Sequence, residues 1–432
     1  MVQRDPRTEG TLKQPLVLLI GAPLPPPYGG VASYIKLLLP ALARRGFRIR
    51  IVHPGRGATP APPEMPGGGL RAVVVEYPGA LRLSFWLLGR PGMLATLLSW
   101  YAKALARIPR YAVRELAMTA SLLRSADRLL DGERPDIVHG FDTPWSYGAA
   151  TALLARETGA KSMFSFFGDV LPHASELEQF DSTSRPFAPA SRAVLEGVDL
   201  AASMTNHCRE LVRSLGLPPE DVALVRVIGD MDAFNPGVEG ARLGKGPILL
   251  FVGHVRARKG PQVLAQALPA IRKQFPTAKA VFVGPDYGYA DEVKSLAKRL
   301  GVEDAVEVVG AVSDDELPSY YAAADVFVFP TTTTIECLGL SFVQAMFAGV
   351  PVVATRIAGA PEVIRDGIDG LLVEPGDARA LAAAINELLG LPPEERLALG
   401  QRGRERASEL FEKQAVLDDL LRSYDGLLST RG

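Results

Sequence analysis

The chain has 432 residues, of which 47% are hydrophobic and 22% are charged, a composition typical of a soluble globular enzyme. This length exceeds what one hydrophobic core usually supports, so two domains are expected. The formal net charge of -1 gives no reason to expect nucleic acid as a partner.

Neither the start of the chain nor its cysteines indicate secretion. Residues Met1–Gln14 are polar and charged, unlike a signal peptide. The most apolar stretch, Ala80–Ala106, is interrupted by basic residues and falls short of the roughly 18 uninterrupted apolar residues of a spanning helix. Cys208 and Cys337 lack metal-ligand spacing. The sequence therefore predicts no disulfide framework and a location in the reducing cytoplasm.

Short apolar runs alternate with longer helical patterns along the chain. In the first half, the predicted strands are Leu16–Ile20, Arg48–Val52, Ala72–Val75, Ile137–His139 and Lys161–Phe166. In the second half, they are Ile248–Val252, Ala280–Val283, Val306–Val309, Val326–Phe329 and Pro351–Ala354. Continuous apolar strands between helices are typical of parallel sheets covered on both faces, which predicts an α/β protein. The two series predict two doubly wound, Rossmann-like domains, with ligands bound at the carboxyl ends of the strands.

The segment Ala80–Leu129 is strongly basic. Eight lysine and arginine residues stand against two acidic residues, so its net charge is +6. Four of the basic residues follow helical spacing, although Pro109 must kink or restart the helix: Lys103, Arg107, Arg110 and Arg114. Two interpretations remain open. The segment is either a basic amphipathic surface that contacts an anionic membrane or lipid-linked acceptor, or a solvated helix face.

Two loops place glycines directly before a predicted helix. Gly29 and Gly30 follow the first strand, and two such glycines let backbone N–H groups approach an anionic or hydroxylated ligand. The dinucleotide-binding fingerprint is absent, because its third spaced glycine is missing. The loop Gly253–Gly260 carries four side chains that are cationic or can become so: His254, Arg256, Arg258 and Lys259. Beside a helix N-terminus, these residues suit a diphosphate, although a solvated basic loop would have the same composition.

The run Pro330–Ala354 is the most informative stretch. It leaves a predicted strand, passes Glu336 and Gly339 in a loop, and enters a helix near Ser341. One interpretation is that Ser341 and Gln344 form a helix-capping box. The other is that Glu336 and Gln344 bind sugar hydroxyls, because carboxylate and amide oxygens accept O–H hydrogen bonds.

This run resembles glycosyltransferase family 4, retaining enzymes of the GT-B fold. That family shows a glutamate, seven residues, a second glutamate and then Ala-Met-Ala-x-Gly-x-Pro-Val, matched here by Glu336–Pro351. Supporting matches are Gly29-Gly30, Gly253–Gly260, Leu317–Pro330 and Gly359–Val373. The resemblance covers nearly the whole chain and implies two domains that face a central cleft.

The resemblance also implies roles for individual residues. Lys259 and Glu336 would be the catalytic residues, with Lys259 holding the diphosphate and Glu336 the donor sugar, and Gln344 would bind the ribose. Backbone N–H groups would come from Gly339, Leu340 and the Gly29-Gly30 pair. No metal and no cofactor would be needed, so cationic side chains and helix dipoles would stabilise the leaving nucleotide.

Three departures from the family pattern concern both halves. Gln344 replaces the second glutamate, and His254 replaces an arginine whose contact Arg256 or Arg258 would take over. The histidine-rich motifs of the first domain are sparse. The candidates on the acceptor side are His139, Asp142 and Asp169, each with a structural role as the alternative.

The resemblance implies a retaining transferase that moves a hexosyl unit from a nucleotide-diphosphate sugar to a sugar, lipid-linked or small-molecule acceptor in polysaccharide, glycolipid or glycoconjugate biosynthesis. The expected domains are residues 1–232 and 233–410, with a helix in 411–432 that returns to the first domain. The alternatives are an inactive relative that binds nucleotide sugar and a sugar-nucleotide epimerase of the same fold. The sugar, base and acceptor depend on pocket shape, which a resemblance does not transfer.

Overall fold

The computed structural model describes residues 14–21, 30–54, 70–75, 89–107, 109–142, 144–166, 187–226, 231–333 and 336–430. Two compact units are present. The first contains the described residues up to Phe166, residues 187–202 and the chain from Leu420 onwards. The second contains Ser203–Asp419.

The first sheet has seven strands in the described residues, in the order β3-β2-β1-β4-β5-β6-β7. They are β1 Leu16–Ile20, β2 Arg48–Pro54, β3 Leu70–Val75, β4 Ile137–Phe141, β5 Lys161–Phe166, β6 Leu200–Ser203 and β7 Val222–Leu224. The pairs around β1 and β4 are parallel, and every residue of these two strands is buried. The α/β prediction is confirmed for this half. Only the short β6 and β7 were missed.

The second sheet has six strands in the described part of the chain, in the order β10-β9-β8-β11-β12-β13. They are β8 Ile248–Val252, β9 Lys279–Val283, β10 Val306–Gly310, β11 Val326–Phe329, β12 Val352–Thr355 and β13 Leu371–Val373. All of the recorded pairs are parallel. Five of these strands were predicted to within about one residue at each end, and the three-residue β13 was not predicted as a strand.

Helices connect the strands of both sheets. In chain order up to β7 they are α1 Gly30–Arg44, α2 Pro91–Arg107, α3 Pro109–Leu130, α4 Ala149–Thr158, α5 Ala188–Gly197 and α6 Asn206–Leu211. After β8 they are α7 Pro261–Arg272, α8 Ala290–Arg299, α9 Leu317–Ala322, α10 Leu340–Phe347, α11 Ala360–Val363, α12 Ala378–Gly390, α13 Pro393–Leu410 and α14 Lys413–Ser429. Strand–helix alternation with parallel pairing makes both sheets doubly wound.

Each sheet reverses its strand order once near its centre. The first sheet does so between β1 and β4, and the second between β8 and β11. At such a switch point, the loops at the carboxyl ends of the two neighbouring strands diverge to opposite faces and leave a crevice between them. The loop after β8 and the loop after β11 are therefore neighbours, although the sequence separates them widely.

The basic segment forms two helices. Helix α2 ends at Arg107 and α3 begins with Pro109, so the prediction that this proline restarts the helix is confirmed. Lys103, Arg107 and Arg110 are exposed. In the part of the chain that the structure describes, no helix combines the length and the apolar character that crossing a membrane requires.

The two cysteines are paired, which corrects the prediction of no disulfide. Cys208 in α6 and Cys337 after β11 form a disulfide across 129 residues of chain, with their Cα atoms 5.4 Å apart. Spacing along the sequence could not reveal this pair, because the fold alone brings α6 to the loop after β11. The cysteine count therefore no longer supports a reducing compartment.

The loops after β8 and β11 pack backbone against backbone. Gly260 has a φ of +75°, and a Cβ added there would overlap the carbonyl oxygen of Pro330 at the end of β11. The carbonyl oxygen of Arg258 accepts hydrogen bonds from the backbone N–H of Thr332 at 2.9 Å and from the hydroxyl of Thr331 at 3.1 Å. Only glycine fits this contact, so the second sheet holds the two loops in a fixed relation.

We predict that Gly260→Ala destabilises the protein much more than Gly376→Ala does. Gly376 has a φ of +77° and nothing within 4 Å of an added Cβ, so its substitution measures the backbone strain alone. That strain costs about 1–3 kcal/mol. Gly260→Ala adds an overlap with main chain that cannot rotate away, which costs about 1–3 kcal/mol more. Urea denaturation of both variants measures the difference, and equal losses would show that the two loops do not interlock.

Candidate active site

Lys259 and Glu336 meet at the switch point of the second sheet. Lys259 ends the short turn before Gly260 and α7, and Glu336 lies in the loop after β11. The ammonium of Lys259 donates a hydrogen bond to Oε2 of Glu336, and the two side chains are 17% and 16% exposed. A partly desolvated ion pair is therefore available where doubly wound sheets bind their ligands. The structure brings together the two residues that the sequence singled out as catalytic.

Helix α10 directs its N-terminus into the same region. It begins at Leu340, directly after Gly339, whose φ is +79°. A Cβ at Gly339 would lie 2.5 Å from the ring of Phe329 and 3.0 Å from the ring of Phe342, so this tight entry requires glycine. Gly339 has no side chain that could cap the helix. The N–H groups of the first turn give this end of the helix a partial positive charge. Gly339 and Leu340 thus lie where backbone donors were predicted.

Gln344 does not form the predicted capping box. The helix begins one residue before Ser341, which therefore lies within the first turn and is not the N-cap. Instead, the Tyr321 hydroxyl donates to Oε1 of Gln344 at 2.9 Å and lies 3.1 Å from the carbonyl oxygen of Ser341. Burial raises the pKa of Tyr321 well above its usual value, so the phenol stays a donor. The contact leaves the amide N–H₂ of Gln344 to meet a ligand as a donor.

His254 and Arg256 lie against an aromatic ring that the sequence did not single out. The centroid of the His254 ring is 4.6 Å from that of Tyr287, and the two planes make an angle of 36°. The guanidinium carbon of Arg256 lies 4.2 Å from the same centroid. Tyr287 follows β9, and nothing in its sequence context indicated this contact. Arg258 lies in the same loop, half-buried, and its backbone carbonyl ties the loop to Thr331 and Thr332.

Asp142 lies at the switch point of the first sheet, directly after β4. It is half-buried and has a φ of +76°, a left-handed conformation that aspartate tolerates better than most residues. Its backbone N–H donates to the carbonyl oxygen of Ser165 at 3.1 Å. Gly30 begins α1, as the loop pattern predicted. Gly29 and Asp169 lie outside the described residues.

The surroundings of His139 favour its structural alternative over a role on the acceptor side. The side chain is completely buried in β4. Its Nδ1 lies 2.7 Å from the hydroxyl of Tyr424 in α14, and its Nε2 lies 2.8 Å from the hydroxyl of Ser165. Burial lowers the pKa of His139 to about 3, which keeps the ring neutral. Both ring nitrogens are occupied, so His139 fastens the C-terminal helix to the first sheet.

In the described ranges, no group of three or more histidine, cysteine, aspartate or glutamate residues could hold a metal ion. That the reaction needs no metal remains a prediction. The positive charge observed near Glu336 comes from Lys259 and from the N-terminus of α10.

Two family models match most of the chain. The model described as "Glycosyl transferase 4-like domain" matches residues 29–227, and the one described as "Glycosyl transferases group 1" matches residues 239–406. The second match contains Lys259, Glu336 and the whole second sheet.

The chain is also similar in sequence to two bacterial glycosyltransferases. It is 31% identical over 311 residues to a GDP-mannose-dependent alpha-(1-6)-phosphatidylinositol monomannoside mannosyltransferase of Mycobacterium tuberculosis, covering 66% of this chain and 77% of that protein. It is 32% identical over 305 residues to D-inositol 3-phosphate glycosyltransferase 1 of Catenulispora acidiphila, covering 67% of this chain and 72% of the relative.

Solved structures show the same fold. Sucrose-phosphate synthase from Thermosynechococcus elongatus superimposes with a TM-score of 0.77 at 24% identity, covering 97% of this chain and 100% of that one. Anabaena HepE in complex with UDP and glucose superimposes with a TM-score of 0.67 at 16% identity, covering 96% and 100%. The family models and the two relatives show that the chain belongs to glycosyltransferase family 4, and the solved structures show its GT-B fold.

Proposed function

We propose that the chain transfers a hexosyl unit from a nucleotide-diphosphate sugar to an acceptor with retention of the anomeric configuration. The ion pair of Lys259 and Glu336 at the switch point of the second sheet carries the proposal. A diphosphate and a sugar present opposite requirements, because the first needs positive charge and the second needs hydrogen-bond acceptors for its hydroxyls. This pair supplies both within one contact.

Lys259 can serve both the diphosphate and Glu336. Its ammonium carries three N–H donors, so it can keep Glu336 in place while it donates to a phosphate oxygen. The N-terminus of α10 adds a partial positive charge beside the same pair. As the glycosidic bond breaks, negative charge grows on the leaving diphosphate, and both groups are placed to stabilise it.

Glu336 holds the sugar in this proposal. Its carboxylate is mostly shielded from solvent and is oriented by Lys259, so it accepts hydrogen bonds from donor hydroxyls without reorganising. Gln344 binds the ribose through its amide N–H₂, since Tyr321 occupies its carbonyl oxygen. A donor phosphate oxygen takes the acceptor proton on the face from which the nucleotide leaves, so no side chain is assigned as the base.

The names of the relatives guide the choice of substrates. One is named for GDP-mannose and a phosphatidylinositol mannoside, and another for inositol 3-phosphate. These names support GDP-mannose as the first donor and an inositol-bearing, anionic acceptor as the first acceptor in a screen. Products of this class are glycolipids or other glycoconjugates.

Two alternative functions differ from the proposal in what happens to the bound nucleotide sugar. An inactive relative would bind the nucleotide sugar without turnover, and the neutral Gln344 at the position of the second family glutamate is its best support. A sugar-nucleotide epimerase would convert its substrate with no acceptor present. The observation that favours a transferase is the family, whose relatives are named for transfer.

We predict that the product linkage has the same anomeric configuration as the donor and that activity survives EDTA. The reason is that Lys259 and α10 supply the charge that a metal would otherwise provide. Proton NMR of the purified product measures the anomeric configuration. An inverted anomer would refute retention, and complete loss of turnover in EDTA would show that the reaction needs a metal.

We predict that Lys259→Ala lowers kcat by about 10²–10³, with a smaller effect on donor affinity, because the ammonium binds the transition state more tightly than the ground state. Lys273→Ala removes the same charge at the other end of α7, where the side chain is exposed, and should leave kcat unchanged. His254→Ala should have a smaller effect than Lys259→Ala. If Lys259→Ala turns over within about threefold of wild type, the loop does not hold the diphosphate.

We also propose that α2 and α3 contact an anionic membrane surface at the cytoplasmic face. Leu98, Tyr111 and Val113 are large apolar side chains that are 44–45% exposed on these helices. They share the helices with the exposed Arg107 and Arg110. Apolar side chains among basic ones are typical of helices that lie in a membrane interface. This surface would bring the enzyme to a lipid-linked acceptor.

We predict that the protein sediments with phosphatidylcholine vesicles containing phosphatidylglycerol, that salt weakens this binding, and that pure phosphatidylcholine vesicles bind it less. Each basic residue near an anionic surface contributes about 1 kcal/mol, so the double change Arg107→Gln and Arg110→Gln should weaken binding roughly thirtyfold. Neutralising Lys294 and Lys298 on α8 is the control. Equal sedimentation with both vesicle types would show that α2 and α3 form a solvated helix face and do not bind an anionic membrane.

A further inference from the structure

Tyr287 is an exposed aromatic side chain next to two residues of the loop after β8. Its side chain is 56% exposed, the largest exposed fraction among the tyrosines that the structure records as exposed. Even so, Arg256 and His254 lie 4.2 Å and 4.6 Å from the centroid of its ring. The ring thus contacts His254, which stands where the family pattern has an arginine. It also contacts Arg256, one of the two residues that would take over the contact of that arginine.

The backbone of Tyr287 is held firmly. Oδ1 of Asp286 accepts hydrogen bonds from the N–H groups of Gly288, Tyr289 and Ala290 at 2.9, 2.9 and 3.1 Å, which caps the start of α8. The N–H of Tyr287 donates to the carbonyl oxygen of Val255 at 3.2 Å, between His254 and Arg256. The backbone that carries the ring is therefore fixed relative to the loop after β8.

A ring that lies under an arginine restricts the mobility of that side chain. The guanidinium carbon of Arg256 lies over the ring of Tyr287, and a cation–π contact with the ring face is compatible with hydrogen bonds from guanidinium N–H groups to a ligand. These N–H groups match the geometry of phosphate oxygens. A long side chain that is ordered before the ligand arrives loses less conformational entropy on binding. The ring of His254 shares the same support.

We propose that Tyr287 is a positioning residue for the donor diphosphate: its ring holds Arg256, and with it His254, in the orientation that binds the phosphates. The inference rests on the proposed function, because it assigns the diphosphate to the loop after β8. Under this proposal, Arg256 makes the phosphate contact of the family arginine whose position His254 occupies. Tyr287 acts through Arg256 and does not contact the reacting atoms.

The test measures binding of GDP, with UDP in parallel, by isothermal titration calorimetry. Tyr287→Ala should weaken binding about fivefold, an effect of the size expected for one exposed cation–π contact together with the ordering of its arginine. Tyr287→Phe keeps the ring and should bind within about twofold of wild type. In the Arg256→Ala background, Tyr287→Ala should add less than about twofold, because its partner is gone.

Controls separate this inference from a structural role and from the proposed function. Tyr111→Ala also removes an exposed tyrosine near an arginine, with Arg114 5.8 Å from its ring, and should leave GDP binding unchanged. With the active donor, Tyr287→Ala should raise KM more than it lowers kcat. Binding unaffected by Tyr287→Ala, a Tyr287→Phe variant as weak as Tyr287→Ala, or additive losses in the double variant would overturn the inference alone. A wild type that binds neither GDP nor UDP would overturn the proposed function as well.

Discussion

The contact between the loops after β8 and β11 determines the rest of the candidate site. At the switch point of a parallel sheet, two loops that are remote in sequence become neighbours. Here they are locked together because Gly260 lies against the carbonyl of Pro330 and the carbonyl of Arg258 accepts hydrogen bonds from Thr331 and Thr332. The ion pair of Lys259 with Glu336 extends this backbone contact to the side chains. The contacts between the two loops therefore hold Lys259 beside Glu336.

Two departures from the family pattern share one physical feature, which is a neighbouring tyrosine. The hydroxyl of Tyr321 donates to Gln344 and fixes which end of the amide is available. The ring of Tyr287 lies against His254 and Arg256 in the loop after β8. In both places, a side chain with less charge than the family residue is oriented by an aromatic partner. Orientation can partly replace charge, because a preorganised donor does not reorganise when the ligand binds.

The first sheet uses its polar residues differently. His139 was singled out because it ends a predicted strand, Ile137–His139, but β4 continues for two more residues, to Phe141. The histidine is consequently inside the sheet, where Tyr424 and Ser165 occupy its ring nitrogens. Asp142 is the first residue beyond the strand, at the carboxyl end of β4. Because β4 ends two residues later than predicted, His139 lies inside the sheet and Asp142 lies at its edge.

The sequence by itself determined the α/β class, most of the strands and the loops that contain Lys259 and Glu336. These features depend on local patterns, namely continuous apolar runs, glycines before helices, and the spacing of the Glu336–Pro351 run. Only the tertiary structure decided that Lys259 contacts Glu336 across 77 residues, that Cys208 pairs with Cys337, and that Tyr287 contacts Arg256. The physical reason is that such contacts depend on the order in which the parallel strands lie side by side in the sheet. That order is set by the packing of the whole sheet and leaves no local pattern around the residues that it brings together.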